Sequence, residues 1–142
     1  MNKTNVISKA KQLAFSPLVF FAVMTGTVFL VLGYVVCCAW ISYSAQEMCI
    51  NAKRQYAGDC VDALITQVQD ENVSFHDRND TIWALGQIGD ARALPVIEKM
   101  YTGDLNHTKY DTEISQYELS KAVRLLHGET NITWFVRPKV QM

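Results

Sequence analysis

From Gln12 to Gln46 the chain carries no Asp, Glu, Lys or Arg, and inside that gap Leu18 to Ile41 (LVFFAVMTGTVFLVLGYVVCCAWI) is almost entirely apolar. Those 24 residues make about 36 Å of helix at about 1.5 Å per residue, against a bilayer hydrocarbon core of about 30 Å. A helix apolar on every side cannot be buried by a small soluble core, so it is expected to cross a membrane. The stretch also exceeds the 7–15 residues typical of a signal-peptide core, which predicts an uncleaved anchor rather than a removed leader. Trp40 and Tyr43 fall where the helix should leave the hydrocarbon, the depth that amphipathic rings favour.

Lys3, Lys9 and Lys11 precede the span with no acid among them, whereas Lys53 and Arg54 follow it partly offset by Glu47. This asymmetry predicts a single-pass protein of a cell inner membrane with a cytoplasmic N-terminus and a periplasmic C-terminal domain. Membrane lipid is then the first partner. The small-residue spacings Ala22 to Gly26 and Gly33 to Cys37 permit close pairing of two anchors, which makes a homodimer a candidate assembly.

Beyond the anchor, 99 residues from Ser44 to Met142 suffice for one small domain. Three of the thirteen basic residues precede the span, leaving ten against fourteen acidic, a net charge of −4 for the exported part. That balance excludes a nucleic-acid partner, which needs a basic face. Cys49 and Cys60 are the two cysteines outside the membrane. In an oxidising compartment such a pair without His or acid at ligand spacing is expected to form a disulfide rather than a metal site. Closing that bridge is expected to need an early end or a bend in the first helix, because Cys49 lies eight residues before the Ala57-Gly58 turn.

The apolar periodicity of the domain is helical. Helices are predicted over Gln46–Tyr56, over Asp59–Val68 behind an Asp cap, and over Asp77–Ile88 ending at Gly89. Two more are predicted from the Asp90 cap to Tyr101 and over Glu113–Leu126. A polar loop, Thr102 to Thr112, separates the last two. Gly58-Asp59 and Gly89-Asp90 each open a helix 31 residues apart, and a helical-hairpin repeat of this period signals a stacked α-solenoid.

The segment RNDTIWALGQIGDARALPVIEKM, Arg78 to Met100, resembles the HEAT-like repeats of the phycobilin-lyase type at Arg78, Ala84, Leu85, Gly86, Ile88, Gly89, Asp90, Arg92, Ala93, Pro95 and Ile97. More broadly, YAGDCVDALI, WALGQIGDARALPVI and ISQYELSKAVRLL look like small membrane-anchored bacterial HEAT-repeat proteins. The resemblance implies an all-α fold, an N-terminal transmembrane helix followed by about two HEAT-like hairpins, and it implies no reaction. The expected organisation is a cytoplasmic segment (1–17), the anchor (18–41), a connecting helix (42–57), the repeat domain (58–128) and a tail (129–142). Two repeats bury less than the three a solenoid normally needs, so a cap is expected. The candidates are the connecting helix, the disulfide, the tail with Ile132, Trp134 and Phe135, or a second copy.

No catalytic constellation emerges, and neither a cofactor nor a metal is expected. His76, His107 and His127 are scattered. The cluster of His76, Asp77 and Asp80 lacks a further His or Cys at helical ligand spacing and reads as helix capping. HEAT-like iron enzymes carry paired His-Glu motifs, which are lacking in this sequence. On a helical wheel Trp83 projects away from Ile82, Leu85 and Ile88, towards His76, Asp80 and Gln87. Trp83, Asp80, Gln87 and Arg78 are therefore the candidate partner-binding residues, tryptophan being a frequent interface anchor. The competing reading places Trp83 under the tail near Trp134, and Arg78 in a salt bridge to an Asp of a neighbouring helix. The expected function is protein–protein interaction as an adaptor or scaffold subunit with an unidentified protein. The alternative is an enzyme-accessory or small-ligand-binding factor using the groove near Trp83. Asn72, Asn79, Asn106 and Asn131 each begin an Asn-x-Ser/Thr triplet, which in a bacterial protein reads as chance.

Overall fold

The computed structural model describes residues 17–105 and 110–131. The expectations on Lys3, Lys9, Lys11, Asn106, His107, Ile132, Trp134 and Phe135 lie outside the described residues. Every regular element described is helical. The chain divides into two compact units, residues 1–37 and 38–142.

In the first unit the described residues are all helical and form the start of α1, Pro17–Gln55, a single helix of 39 residues. Its most apolar 18-residue window has a mean hydropathy of 2.3 and no buried residue, so this helix is long and apolar enough to cross a membrane. Thr27 returns its hydroxyl to the Val23 carbonyl at 2.9 Å, which satisfies a polar group that hydrocarbon could not.

The second unit contains the end of α1, then α2 (Cys60–Gln69), α3 (Phe75–Ile88), a 3₁₀ turn (Ala91–Ala93), α4 (Leu94–Met100) and α5 (Gln116–Leu126). On α1 the buried residues Cys38, Ala45 and Ala52 recur every seventh position and so form one stripe. Ala52 joins the core, with Met48, Cys49 and Tyr56 packed against it. The connecting helix is thus one of the expected caps on this small core.

Four of the starts are set by a side chain that accepts a free amide of the first turn. Asp59 does this for α2, Ser74 for α3, Asp90 for the 3₁₀ turn and Ser115 for α5. Two starts differ from the expectation. Helix α3 begins at Phe75 rather than Asp77, because Ser74 Oγ accepts the Asp77 amide while donating to the Asp77 carboxylate at 2.7 Å. His76 therefore lies inside the first turn rather than before the helix. Helix α5 begins at Gln116 rather than Glu113. The Glu113 carbonyl is turned towards Asn79, and Ser115 caps with its hydroxyl on the Glu118 amide. The helix expected from Asp90 to Tyr101 is divided into the 3₁₀ turn and the seven-residue α4, with Pro95 harmless in the first turn.

Helix α3 packs against both α2 and α5, and α5 packs against α3 and α4. The core between them is Val61, Leu64, Val68, Ile82, Leu85, Ile97, Leu119, Ala122 and Leu126. Gly89 ends α3 at φ 69°, a left-handed conformation that glycine adopts without steric cost. Gly86 serves a different purpose. A Cβ there would stand 3.0 Å from Ala122 Cα and 3.2 Å from Ala122 Cβ, so its missing side chain is what lets α3 and α5 approach so closely.

Cys49 and Cys60 stand at disulfide distance, with Cα atoms 5.1 Å apart. The early stop that would have allowed this pairing is absent, since α1 continues to Gln55. Six residues of helix separate Cys49 from that end, about 9 Å, and the four-residue return through Gly58 at φ 107° is long enough to cover it.

Candidate interaction site

Trp83 is half-buried on α3 and lines a cleft with Gly86 and Gln87, faced by Glu118, Lys121, Ala122 and Leu125 of α5. The cleft is polar at its rim. Lys121 Nζ is 3.1 Å from Glu118 Oε1 and lies 4.8 Å from the centre of the Tyr117 ring, which is 53% exposed. Asn131 Nδ2 donates to Gln87 Oε1 at 3.3 Å, so the last described residue is tied to the same face. The volume of the cleft is about 10 Å³, room for about one water.

One turn towards the N-terminus, Asp80 belongs to a second cluster. Its carboxylate accepts the Tyr110 hydroxyl and lies 3.5 Å from His76 Nε2, while His76 Nδ1 reaches Asp111 at 3.0 Å. The Tyr110 ring meets His76 edge to face at 5.4 Å. Burial first, and then the Asp80 carboxylate, push the Tyr110 phenol well above its ordinary range. The hydrogen bond to Asp111, followed by the negative charge of Asp80, raises His76 above its ordinary value. The four candidate residues thus separate. Trp83 and Gln87 share the cleft, and Asp80 holds the 110–111 segment onto α3. Arg78 turns to another side, where its Nε donates to the Val68 carbonyl at 2.9 Å near the end of α2 and its guanidinium lies 5.9 Å from the Phe75 ring centre.

Two residues that the sequence did not single out as sites organise these surfaces. Asn79 is fully buried, its Nδ2 donating to the carbonyls of Tyr110 and Glu113 at 2.6 and 3.0 Å and its Oδ1 accepting the Ser115 amide at 2.8 Å. A side chain so placed is inaccessible to glycosylation. Arg92 spans the glycine turns that precede α2 and the 3₁₀ turn, with Nη1 at 2.8 Å from Asp59 and 3.2 Å from Asp62 and Nη2 at 3.0 Å from Asp90. The same pairing raises Arg92 above its ordinary value through Asp90 first and Asp59 second, and holds Asp90 below the usual carboxylate range. Asp59 is also lowered, chiefly by the Asp62 amide that it caps.

The remaining polar groups have local tasks. His127 ends α5 and meets Glu98 of α4 at 2.8 Å. The Tyr56 hydroxyl donates to Asp70 at 2.8 Å, bringing the chain before α2 to the chain after it. Among the described residues no group of three or more His, Cys, Asp or Glu is arranged to hold a metal ion. Protein-family models, curated proteins and solved structures gave no match to this chain.

Proposed function

We propose that this protein is a single-pass anchor of a bacterial inner membrane that displays a small HEAT-like helical stack in the periplasm and works as an adaptor by protein–protein contact. The stack consists of two hairpins, α2 with α3 and α4 with α5. The reading is supported by the contacts of α3 with α5 and by Gly58 and Gly89, two of the positive-φ glycines, each followed by a capping Asp. One observation carries it above the rest: a charge-free helix of membrane length continues unbroken into residues that pack in a folded core and stand at disulfide distance from the next helix. An oxidised Cys49–Cys60 pair belongs on the oxidising side of the membrane.

The Trp83 and Gln87 face, with Asp80 one turn away, serves as a recognition surface, and Arg78, turned to the α2 side, lies outside it. A cleft of about 10 Å³ has no room for a small-molecule ligand, whose sites run to about 300 Å³ or more, which favours a protein partner over the small-ligand alternative. Topology is tested by placing a cysteine at exposed Gln69 and treating intact cells with a membrane-impermeant maleimide. Modification without permeabilisation is expected, together with thiol release from Cys49 and Cys60 only after reduction. Modification restricted to permeabilised cells refutes the proposed compartment. For the interaction, Trp83→Ala is expected to lose a co-purifying partner while the fold persists. Loss of small-molecule binding by the purified chain instead would favour the alternative.

A further inference from the structure

The end of α1 is joined to the rest of the domain chiefly at one place. The extensive helix pairings are α2 with α3, α3 with α5 and α4 with α5, and α1 takes part in none of them. Among the described residues α1 reaches the core through Ala52, with Met48, Cys49 and Tyr56 packed against it, and the Tyr56 hydroxyl donates to Asp70 just past α2. The Cys49–Cys60 pair is the covalent tie across this contact. Its two sulfurs are not equivalent. Cys60 is 1% exposed, whereas Cys49 is only partly covered and has exposed Lys53 one helical turn further on. Cys60 is also the first residue of α2, where the partial positive charge of a helix start favours a sulfur that leaves as an anion. Asp59 and Asp62 face that start, and Arg92 offsets part of their charge at 2.8 and 3.2 Å.

We infer that the Cys49–Cys60 bond is a thiol-exchange site, opened through the Cys49 sulfur by a protein dithiol, and that its opening frees the end of α1 while α2 to α5 stay folded. An incoming thiolate must reach the sulfur it attacks, and the core seals Cys60 but not Cys49. The thiolate bonds to Cys49 Sγ, the Cys49–Cys60 bond breaks, and its electron pair leaves on Cys60 Sγ, which takes up a proton. The second thiol of the dithiol then attacks the reductant's own sulfur in the mixed disulfide and releases Cys49 as a thiol. Two electrons and two protons have passed to the pair, and the reductant now carries the disulfide. What still joins α1 to the domain is the packing around Ala52 and the Tyr56–Asp70 bond, so this contact opens before the rest. The core itself survives, because Leu64, Ile82, Leu85, Ile97 and Leu119 all lie on α2 to α5. The inference rests on the membrane-anchored reading for the compartment in which the pair is oxidised, and it is independent of the Trp83 surface.

The test uses the full chain in detergent micelles with the pair oxidised. Excess reduced glutathione is added without denaturant, the mixture is quenched in acid and alkylated, and the adducts are mapped by mass spectrometry. Glutathione is expected on Cys49 at least tenfold over Cys60. Trypsin then reads the coupling on reducing gels. After treatment with dithiothreitol, cleavage following exposed Lys53 and Arg54 should rise at least fivefold, while cleavage following exposed Lys99 on α4 changes less than twofold. A chain carrying both Cys49→Ala and Cys60→Ala should match the reduced protein with or without dithiothreitol. Glutathione on Cys60 or on both alike, a bond that opens only in denaturant, or unchanged cleavage at Lys53 and Arg54 overturns the inference. So does equal acceleration at Lys99, which marks unfolding of the whole domain. A pair that acid-quenched cells hold wholly as thiols refutes the proposed compartment and the inference together; every other failure leaves the compartment standing.

Discussion

Replacing Asn79 by alanine takes away three hydrogen bonds that a single buried side chain makes to backbone 31 to 36 residues away. At about 1 kcal/mol for each bond the direct loss is about 3 kcal/mol. The carbonyls of Tyr110 and Glu113 can turn towards water once released, because the 110–113 segment lies at the surface. The Ser115 amide has less freedom, since Ser115 is 3% exposed and begins α5. For a domain of 99 residues each kcal/mol corresponds to roughly 4–8 °C in Tm, so the expected fall is roughly 12–24 °C. The assay is thermal unfolding of the full chain in detergent micelles, followed by the near-ultraviolet signal of its aromatic residues. The same-shape change Asn79→Asp sharpens the test. A carboxylate keeps the bond to the Ser115 amide but turns an acceptor towards two carbonyl oxygens, which raises its pKa in the folded state. That penalty is full at neutral pH and eases as the pH falls towards about 4 and the group is protonated. An Asn79→Ala protein melting within about 4 °C of the parent would refute the reasoning.

The other predictions are briefer. Gly86→Ala should not show the gain of about 1 kcal/mol that alanine usually brings to a helix interior, because its Cβ meets backbone at 3.0 Å; Gly86→Val should lower stability by about 2 kcal/mol in denaturant titration. Arg92→Ala should weaken the domain slightly at low salt, with the difference vanishing near about 0.5 M NaCl. Asp59 and Asp90 are depressed below the ordinary 3.8, so their stabilisation is present above that value and is lost as the pH falls through their folded pKa values. Arg92→Ala should flatten that acid limb, more at Asp90 than at Asp59, whose larger support is the Asp62 amide. His76 is raised above 6.5, so its contribution is full below that value and is lost as the pH climbs through its folded pKa. An NMR titration should place its midpoint above 6.5, and Asp111→Asn should bring it down.

What the sequence displayed well was local. The charge gap of α1, the Asp59 cap, the Gly89 stop and the helical spacing of Val61, Leu64 and Val68 each depend on neighbours within one or two turns, and each has its counterpart in the structure. The starts of α3 and α5 were missed although Ser74-x-x-Asp77 and Ser115-x-x-Glu118 carry the spacing of a capping box, a local signal passed over in favour of the acidic residues Asp77 and Glu113. Asn79 was hidden for a stronger reason. Its partners are backbone groups more than thirty residues away, and a backbone group leaves no signature in composition or periodicity. The surroundings of Trp83 show the same limit: the helical wheel put Asp80 and Gln87 on its side of α3, but Tyr110, which occupies Asp80, comes from a connection with no periodicity to read. Arg78 was legible as a residue seeking a partner on the neighbouring helix, although its direct bond is to the Val68 carbonyl and the Asp70 carboxylate at the end of α2 only feels its charge.

The near contact of Gly86 with Ala122 has an evolutionary corollary. Neither position can grow alone, since α3 and α5 already meet almost backbone to backbone there, whereas a larger residue at one is admissible if the other shrinks or the helices part. Related chains should therefore covary at these two sites, and sequence drift along the remainder of either helix should proceed around them.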